Sequence, residues 1–290
     1  MSRESTKCAR VVMVSGGLSS FEAARRVIER EGSDGVHLWF ADTKMEDEDL
    51  YRFLSDMEAV LGHPVERMAD GRTPWEVFED ERFLGNSRID PCSKNLKREL
   101  LRRELRRRFN PSEVIVYLGL DWTEPHRVAS ATEYWSRDGF VVAFPLSWEP
   151  YLLPQDLADI VRGHGIEPPR LYALGFPHNN CGGACVKAGI AQWAHLLQVL
   201  PERYRWHEEQ ERRLRRVLRK NISILEDRRG GKRRPMTLRL LRWRVEKGHL
   251  QTRSPKGGNR DILQDTSWAC TCFIGAQLES PLEASASSVT

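Results

Sequence analysis

Two groups of side chains in this sequence have types and spacings that point to chemistry. The first is Ser15-Gly16-Gly17-Leu18-Ser19-Ser20, a glycine pair set among three hydroxyls. Glycines let a backbone approach a ligand closely, and successive N–H groups with neighbouring hydroxyls form a donor set for phosphate oxygens. The second group is thiols. Of six cysteines, Cys181 and Cys185 are separated by three residues and Cys270 and Cys272 by one, while Cys8 and Cys92 stand apart. In a reducing compartment such close pairs suggest a metal, a cluster or redox chemistry more than stable disulfides. The four sulfurs of Cys181, Cys185, Cys270 and Cys272 would suffice for a 4Fe–4S cluster or, alternatively, a tetrahedral zinc, although their spacings match neither a zinc knuckle nor a ferredoxin run. Reduced, partly buried thiols and a redox-active tail cysteine are the competing readings.

The elements that must position these groups follow from hydrophobic periodicity. Val11 to Val14 reads as a buried strand, and Phe21, Ala24, Val27 and Ile28 recur at helical spacing after the glycine turn. A phosphate bound there would meet the positive end of a helix. Val36 to Ala41 and Pro64 to Met68 read as further strands, as do Val114 to Leu118 and Phe140 to Phe144. Helices at Glu46 to Leu61 and after Thr73-Pro74-Trp75-Glu76 separate them. Strands alternating with helices imply an α/β fold, a doubly wound and mainly parallel sheet covered on both faces. From about Tyr151 the pattern turns to helices and loops, so the expected division is a nucleotide-binding domain over 1–150, a helical cysteine-bearing lobe over 151–278 and a flexible tail over 279–290. Asp42 and Asp121 follow strand ends, where open α/β sheets place their ligands, and are expected to contact metal or ribose.

Charge is nearly balanced, with 45 Lys and Arg against 41 Asp and Glu and a formal net of +4. Lys94 to Arg108 is the exception: eight basic and two acidic residues give a local +6. This stretch is either a solvated helix face or a site for a polyanion such as tRNA or DNA. Gly230 to Pro235 reads as an exposed basic loop. The absence of an apolar run of membrane-spanning length and of an N-terminal apolar leader leads us to expect a cytoplasmic protein without membrane contact.

The glycine turn resembles the Ser-Gly-Gly-x-Asp-Ser signature of PP-loop ATP pyrophosphatases, the adenine nucleotide α-hydrolase-like superfamily, with Ser19 where that family carries Asp. Between Val11 and Lys187 the order of motifs is similar to that of phosphoadenosine-phosphosulfate (PAPS) reductases and of PAPS-reductase-like proteins carried by bacteria and phages. Phe40-Ala41-Asp42-Thr43, Pro91-Cys92-Ser93-Lys94, Gly119-Leu120-Asp121-Trp122-Thr123-Glu124, Pro145-Leu146-Ser147-Trp148 and Leu171-Tyr172-Ala173-Leu174-Gly175 carry that resemblance. It implies an adenine nucleotide held by Ser15, Gly16, Gly17, Leu18, Ser19 and Ser20 together with Asp42 and Gly119, and it nominates Asp42, Asp121 and Cys92 for catalysis. It also implies a choice of activity. One is a transferase-like use of ATP and Mg²⁺ to adenylate a substrate oxygen, releasing pyrophosphate so that sulfur or nitrogen can replace it. The other is a sulfonucleotide reductase, and Ser19 in place of Asp together with the basic Lys94 to Arg108 stretch suggests a third reading, a non-catalytic nucleotide or nucleic-acid binding module. Whichever holds, Gly16→Val and Gly17→Val are expected to abolish nucleotide binding while the fold survives.

Overall fold

The computed structural model describes residues 8–228 and 232–250. Its centre is a five-stranded parallel sheet, β1 (Ala9–Val14), β2 (Val36–Asp42), β3 (Val65–Ala69), β4 (Val114–Leu118) and β5 (Val141–Ala143), in the order β3-β2-β1-β4-β5. Strand β1 is central, with Val12 registered against Leu38 on one side and Tyr117 on the other. Its apolar run is continuous because both faces are covered: Val11, Val12 and Val14 are fully buried, and Met13 nearly so.

On one face, helices α1 (Leu18–Glu31) and α2 (Glu48–Leu61) bury Phe21, Ala24, Val27, Phe53 and Met57 against Val12, Val14 and Phe40. The apolar positions of α1 recur at three and four residues, so they form the stripe that meets the sheet. Two short helical stretches, α3 (Pro74–Asp80) and α4 (Pro91–Ser93), follow β3. Thr73 opens α3 with the expected capping box, its hydroxyl accepting from the Glu76 amide while the Glu76 carboxylate accepts from the Thr73 amide. After α4 the chain continues through a wide π-helical turn, Lys94–Glu99, into α5 (Leu100–Arg108). On the second face of the sheet, α5 and α6 (Pro125–Ser136) bury Leu101, Leu105, Ala131 and Trp135 against Val11, Met13 and Val116. The sheet is therefore doubly wound, as the strand and helix alternation requires.

The rest of the chain forms α7 (Asp156–Gly163), α8 (Arg170–Ala173), α9 (Ile190–Val199), α10 (Pro201–Leu218) and α11 (Leu238–Glu246), with a small antiparallel hairpin of β6 (Leu225–Asp227) and β7 (Arg234–Met236). Two cores interleave along the sequence. Leu157 and Val161 of α7 join the α1 side of the sheet, while Trp75 and Phe78 of α3 and Cys92 of α4 join the core of the helical lobe with Trp193, Tyr204 and Leu241. The proposed tail and the pair Cys270 and Cys272 lie outside the described residues, as do Gly230 and Gly231 of the basic loop.

Asp47 fastens the lobe to the sheet's carboxyl edge. Its carboxylate is fully buried, caps α2 by accepting from the Asp49 amide at 3.0 Å, and receives Nε and Nη2 of Arg170 at 2.8 and 3.0 Å and Nη1 of Arg203 at 2.7 Å. Burial alone would raise its pKa, but the two guanidiniums hold it below the ordinary carboxylate value. On the other side of α1, Arg26 pairs with the buried Glu22. The same guanidinium donates to the carbonyls of Pro145, Trp148 and Pro150, which fixes the Pro145–Trp148 segment against that helix.

Candidate nucleotide-binding cleft

Strand β1 leads toward β2 and β3 on one side, and the chain then crosses to β4 and β5 on the other. The carboxyl ends of β1 and β4 are thus the point where the winding reverses, the place where open α/β sheets form a crevice. A narrow cleft opens there. Its lining includes Ser15, Gly17, Ser19 and Ser20 from the turn and start of α1, Leu118 and Gly119 from the end of β4, and Tyr172, His178, Asn179 and Asn180 from the lobe.

The turn is built to leave donors free. Gly16 has φ +72°, a left-handed conformation natural to glycine, and a Cβ there would stand 2.6 Å from Leu50 Cγ. Gly17 is extended (φ −109°, ψ 167°) and is the N-cap of α1, but it supplies no capping side chain, and no acid occupies the first turn. A fourteen-residue helix therefore presents an uncompensated positive end to the cleft. Ser20 Oγ donates to the Gly17 carbonyl at 2.8 Å, and Asn179 Nδ2 donates to the Gly16 carbonyl at 3.0 Å, so the lobe braces the turn directly. Asn179 Oδ1 is buried without a hydrogen-bond partner beside the same cleft. Gly119 closes the far wall: a Cβ at that position would meet the Ser19 carbonyl oxygen at 3.1 Å.

His178 is neutral at pH 7, since burial and the nearby Lys97 ammonium lower its pKa to about 4. Its Nδ1 lies 3.4 Å from the Asn180 amide nitrogen, and the ring is also hydrogen-bonded to its own backbone. Among the described residues, no carboxylate and no Lys or Arg lines the cleft. Backbone amides, hydroxyls, amide side chains and a neutral imidazole make up its polar surface.

The site residues expected from sequence thus separate. Ser15, Gly17, Ser19, Ser20 and Gly119 line the cleft. Gly16 instead supports it from beneath, and Gly16→Val would drive side-chain atoms into Leu50, so the fold-neutral loss of binding expected for that variant applies to Gly17 alone. Leu18 is buried in the α1 core, and it is its backbone, as the first residue of the helix, that belongs to the turn. Asp42 is outside the lining: its Oδ1 accepts from the Lys44 amide at 2.7 Å and from Tyr51 Oη at 2.9 Å, ordering the loop after β2. Asp121 is likewise engaged, accepting from the Thr123 amide at 2.8 Å and the Thr123 hydroxyl at 2.5 Å. Cys92 is buried in the apolar core of the lobe.

Cys181 and Cys185 lie side by side with a thiol hydrogen bond between them, directly after the cleft residue Asn180. Cys181 is buried rather than exposed as its polar loop suggests, and its backbone is left-handed (φ +50°). The Cys185 hydrogen bond, burial and the Glu46 carboxylate all push its thiol well above the ordinary pKa, so it is protonated at neutral pH. Glu46 is a hub that sequence reasoning missed: it accepts from the Cys181 amide at 2.5 Å, from the Thr43 hydroxyl at 2.9 Å and from Lys97 Nζ at 3.3 Å. Among the described residues, no set of three or more His, Cys, Asp or Glu is arranged to hold a metal ion. The thiol pair supplies two sulfurs, fewer than a zinc or 4Fe–4S site requires.

The basic stretch is largely neutralised by its surroundings. Arg102 and Arg106 pair with Asp138, Arg107 with Glu104, and Arg108 with Glu66; Lys97 and Arg98 are buried beside Glu46 and Asp90. No described helix is long and apolar enough to cross a membrane.

No family model matches this chain, and no curated protein matches it. Among solved structures, the phosphoadenylyl-sulfate (PAPS) reductase of Candida auris in its phosphate complex is similar at 16% identity, with a TM-score of 0.41 over 58% of this chain and 78% of that one. A likeness of that extent bears on neither ligand nor activity.

Proposed function

We propose that the chain is an enzyme that binds an adenine nucleotide with its phosphates on the Ser15–Ser20 turn. The observation that carries this reading is the cleft at the sheet's switch point, where the uncapped positive end of α1 and the hydroxyls of Ser15, Ser19 and Ser20 converge. In the leading form of the reaction, ATP is the nucleotide and a substrate oxygen is adenylated, with pyrophosphate leaving; Mg²⁺ carried in on the phosphates would supply charge neutralisation, since no described lining residue is a carboxylate that would hold it. The chain's own contribution is positioning. Turn amides and the hydroxyls of Ser15 and Ser19 fix the phosphates, Ser20 and Asn179 hold the turn through the Gly17 and Gly16 carbonyls, and the neutral His178 adds an uncharged imidazole to the wall.

A sulfonucleotide reductase is the second reading, and two observations favour it. The described lining contains no carboxylate to hold Mg²⁺, and the Cys181–Cys185 thiol pair follows directly on the cleft residue Asn180. Anaerobic incubation with labelled ATP, and separately with PAPS and a dithiol reductant, distinguishes the two. Pyrophosphate and an adenylated product support the first, and sulfite with adenosine bisphosphate supports the second. Failure of both nucleotides to bind would overturn the shared premise. A metal or cluster spanning Cys181, Cys185, Cys270 and Cys272 is part of the proposal; metal analysis of the anaerobic protein should show a content that falls on Cys181→Ser or Cys270→Ser.

A further inference from the structure

The excess positive charge that sequence places on α5 is largely spent on internal ion pairs, but a different surface carries cations with no carboxylate partner among the described residues, Lys220 donating only to the Arg82 carbonyl at 3.4 Å. A groove of about 240 Å³ runs between the loop after α3, the segment after α10 and the β6–β7 hairpin. Arg82, Lys220, Arg233 and Arg234 line it, and no described carboxylate is in ion-pair contact with any of the four. The one acidic residue in the lining, Glu226, faces Arg228 at 3.3 Å. Two helix ends build the shape. Arg82 (φ +51°) turns the chain after α3, and Arg219 (φ +52°) is the left-handed cap that ends α10 just before Lys220. The floor is rigid, because Leu84, Ile224, Leu225 and Met236 are buried in the lobe core beneath it.

The groove also offers contacts for flat, polar rings. Phe83, 37% exposed, is the aromatic side chain in the lining. Asn86 keeps its Oδ1 on the Arg88 and Ile89 amides, which orients its NH₂ group. Cations along a track with an aromatic face within it are the elements that hold single-stranded nucleic acid: phosphates meet the cations, and an unpaired base stacks on the ring. An acidic polypeptide would use the charges but have no need of the ring, and a duplex would leave the ring uncovered. We propose that this groove, separate from the nucleotide cleft, is a binding site for single-stranded nucleic acid.

The experiment is fluorescence anisotropy with a labelled 20-mer as single-stranded DNA, as RNA and as duplex, titrated against the full chain from 50 to 300 mM salt, with polyglutamate as competitor. With about 0.7 counterions released per phosphate neutralised on a single strand, four groove cations give a log–log salt slope of roughly −3. Arg233→Glu with Arg234→Glu should lower affinity at least tenfold and flatten that slope. Phe83→Ala should cost about 5- to 150-fold, the range for loss of one base stack. Arg103→Glu with Arg107→Glu on α5 should change little. Arg233→Gln with Arg234→Gln serves as a milder pair, and circular dichroism verifies that each variant is folded. Salt-insensitive or absent binding to every oligonucleotide, preference for the duplex, stronger competition by polyglutamate than by unlabelled strand, or an equal loss on α5 reversal would each overturn the proposal.

Discussion

Removing the Asp47 carboxylate should loosen the lobe from the sheet, and the structure sets the scale. Asp47→Ala deletes the cap on α2, worth about 1 kcal/mol, and leaves Arg170 and Arg203 without their shared partner. Breaking a fully buried pair costs about 3–5 kcal/mol. Here the guanidiniums remain reachable by water, Arg170 being 46% and Arg203 24% exposed at the side chain, so the loss falls below that range. Arg203 also keeps its bond to the Gly182 carbonyl at 2.8 Å. Together these give an expected destabilisation of about 2–4 kcal/mol. Asp47→Asn, which retains a capping oxygen, should cost less. Urea unfolding followed by circular dichroism measures both, and a double-mutant cycle with Arg170→Ala should show coupling above about 0.5 kcal/mol. Because the folded pKa is depressed, this contribution is present above the ordinary carboxylate value and is lost as pH falls through the lower folded one. A loss under about 1 kcal/mol for Asp47→Ala, or additivity with Arg170→Ala, would refute the view that Asp47 is the clasp.

Gly16→Ala should destabilise by about 2–5 kcal/mol, from the left-handed backbone and the overlap with Leu50, read as a shift in urea midpoint; an unchanged midpoint would contradict the turn geometry. Stability should peak near pH 6.5 to 7. Burial raises Glu211 to about 7, so stability falls as pH climbs toward that value; burial lowers His207 to about 3 and His178 to about 4, so stability falls as pH drops below the ordinary histidine range. With two histidines opposing one carboxyl, the net loss between pH 6.5 and 5 is about 2 kcal/mol. His207→Gln, which keeps an acceptor for Trp75 Nε1, should make that acid limb shallower, and an unaltered limb would remove His207 from the account. Ser19→Asp puts a carboxylate into the cleft, so ATP binding should weaken in EDTA and recover with Mg²⁺; affinity indifferent to both would mean that Ser19 does not face the phosphates.

The α/β architecture was legible because its signals are local. The buried run at β1 and the helical spacing of α1 are satisfied by the sheet they help to form, and the Gly16-Gly17 turn falls between them as expected. Asp42 and Asp121 were harder to assign. A carboxylate after a strand serves a loop amide as readily as a ligand, and the hydrogen bonds that Asp42 makes to Tyr51 and Asp121 to Thr123 depend on neighbours that the strand pattern does not specify. The partners of α5 could not be read either, since Asp138 and Glu66 reach it from more than thirty residues away in sequence. Asn179, which braces the turn from 163 residues away, left only a weak sign: polar amides between Pro177 and the Cys181-Gly182-Gly183 bend. The π-helical turn at Lys94–Glu99 has no local signature, and it is part of the segment that carries Lys97 to Glu46.

The central claim is that nucleotide phosphates sit on the start of α1, and Gly17→Val tests it most directly. Gly17 already has an extended backbone that a β-branched residue adopts without strain, and its added atoms would project toward the Tyr172 hydroxyl, 3.1 Å from the new Cβ, across the cleft. Calorimetric titration of ATP and of PAPS into wild-type and Gly17→Val protein, with urea midpoints compared in parallel, should show binding to wild type by at least one nucleotide and its loss by more than tenfold in a variant that stays folded, destabilised only by about 1 kcal/mol for the poorer N-cap. Equal affinity in the folded variant, or no binding of either nucleotide to wild type, would contradict the account.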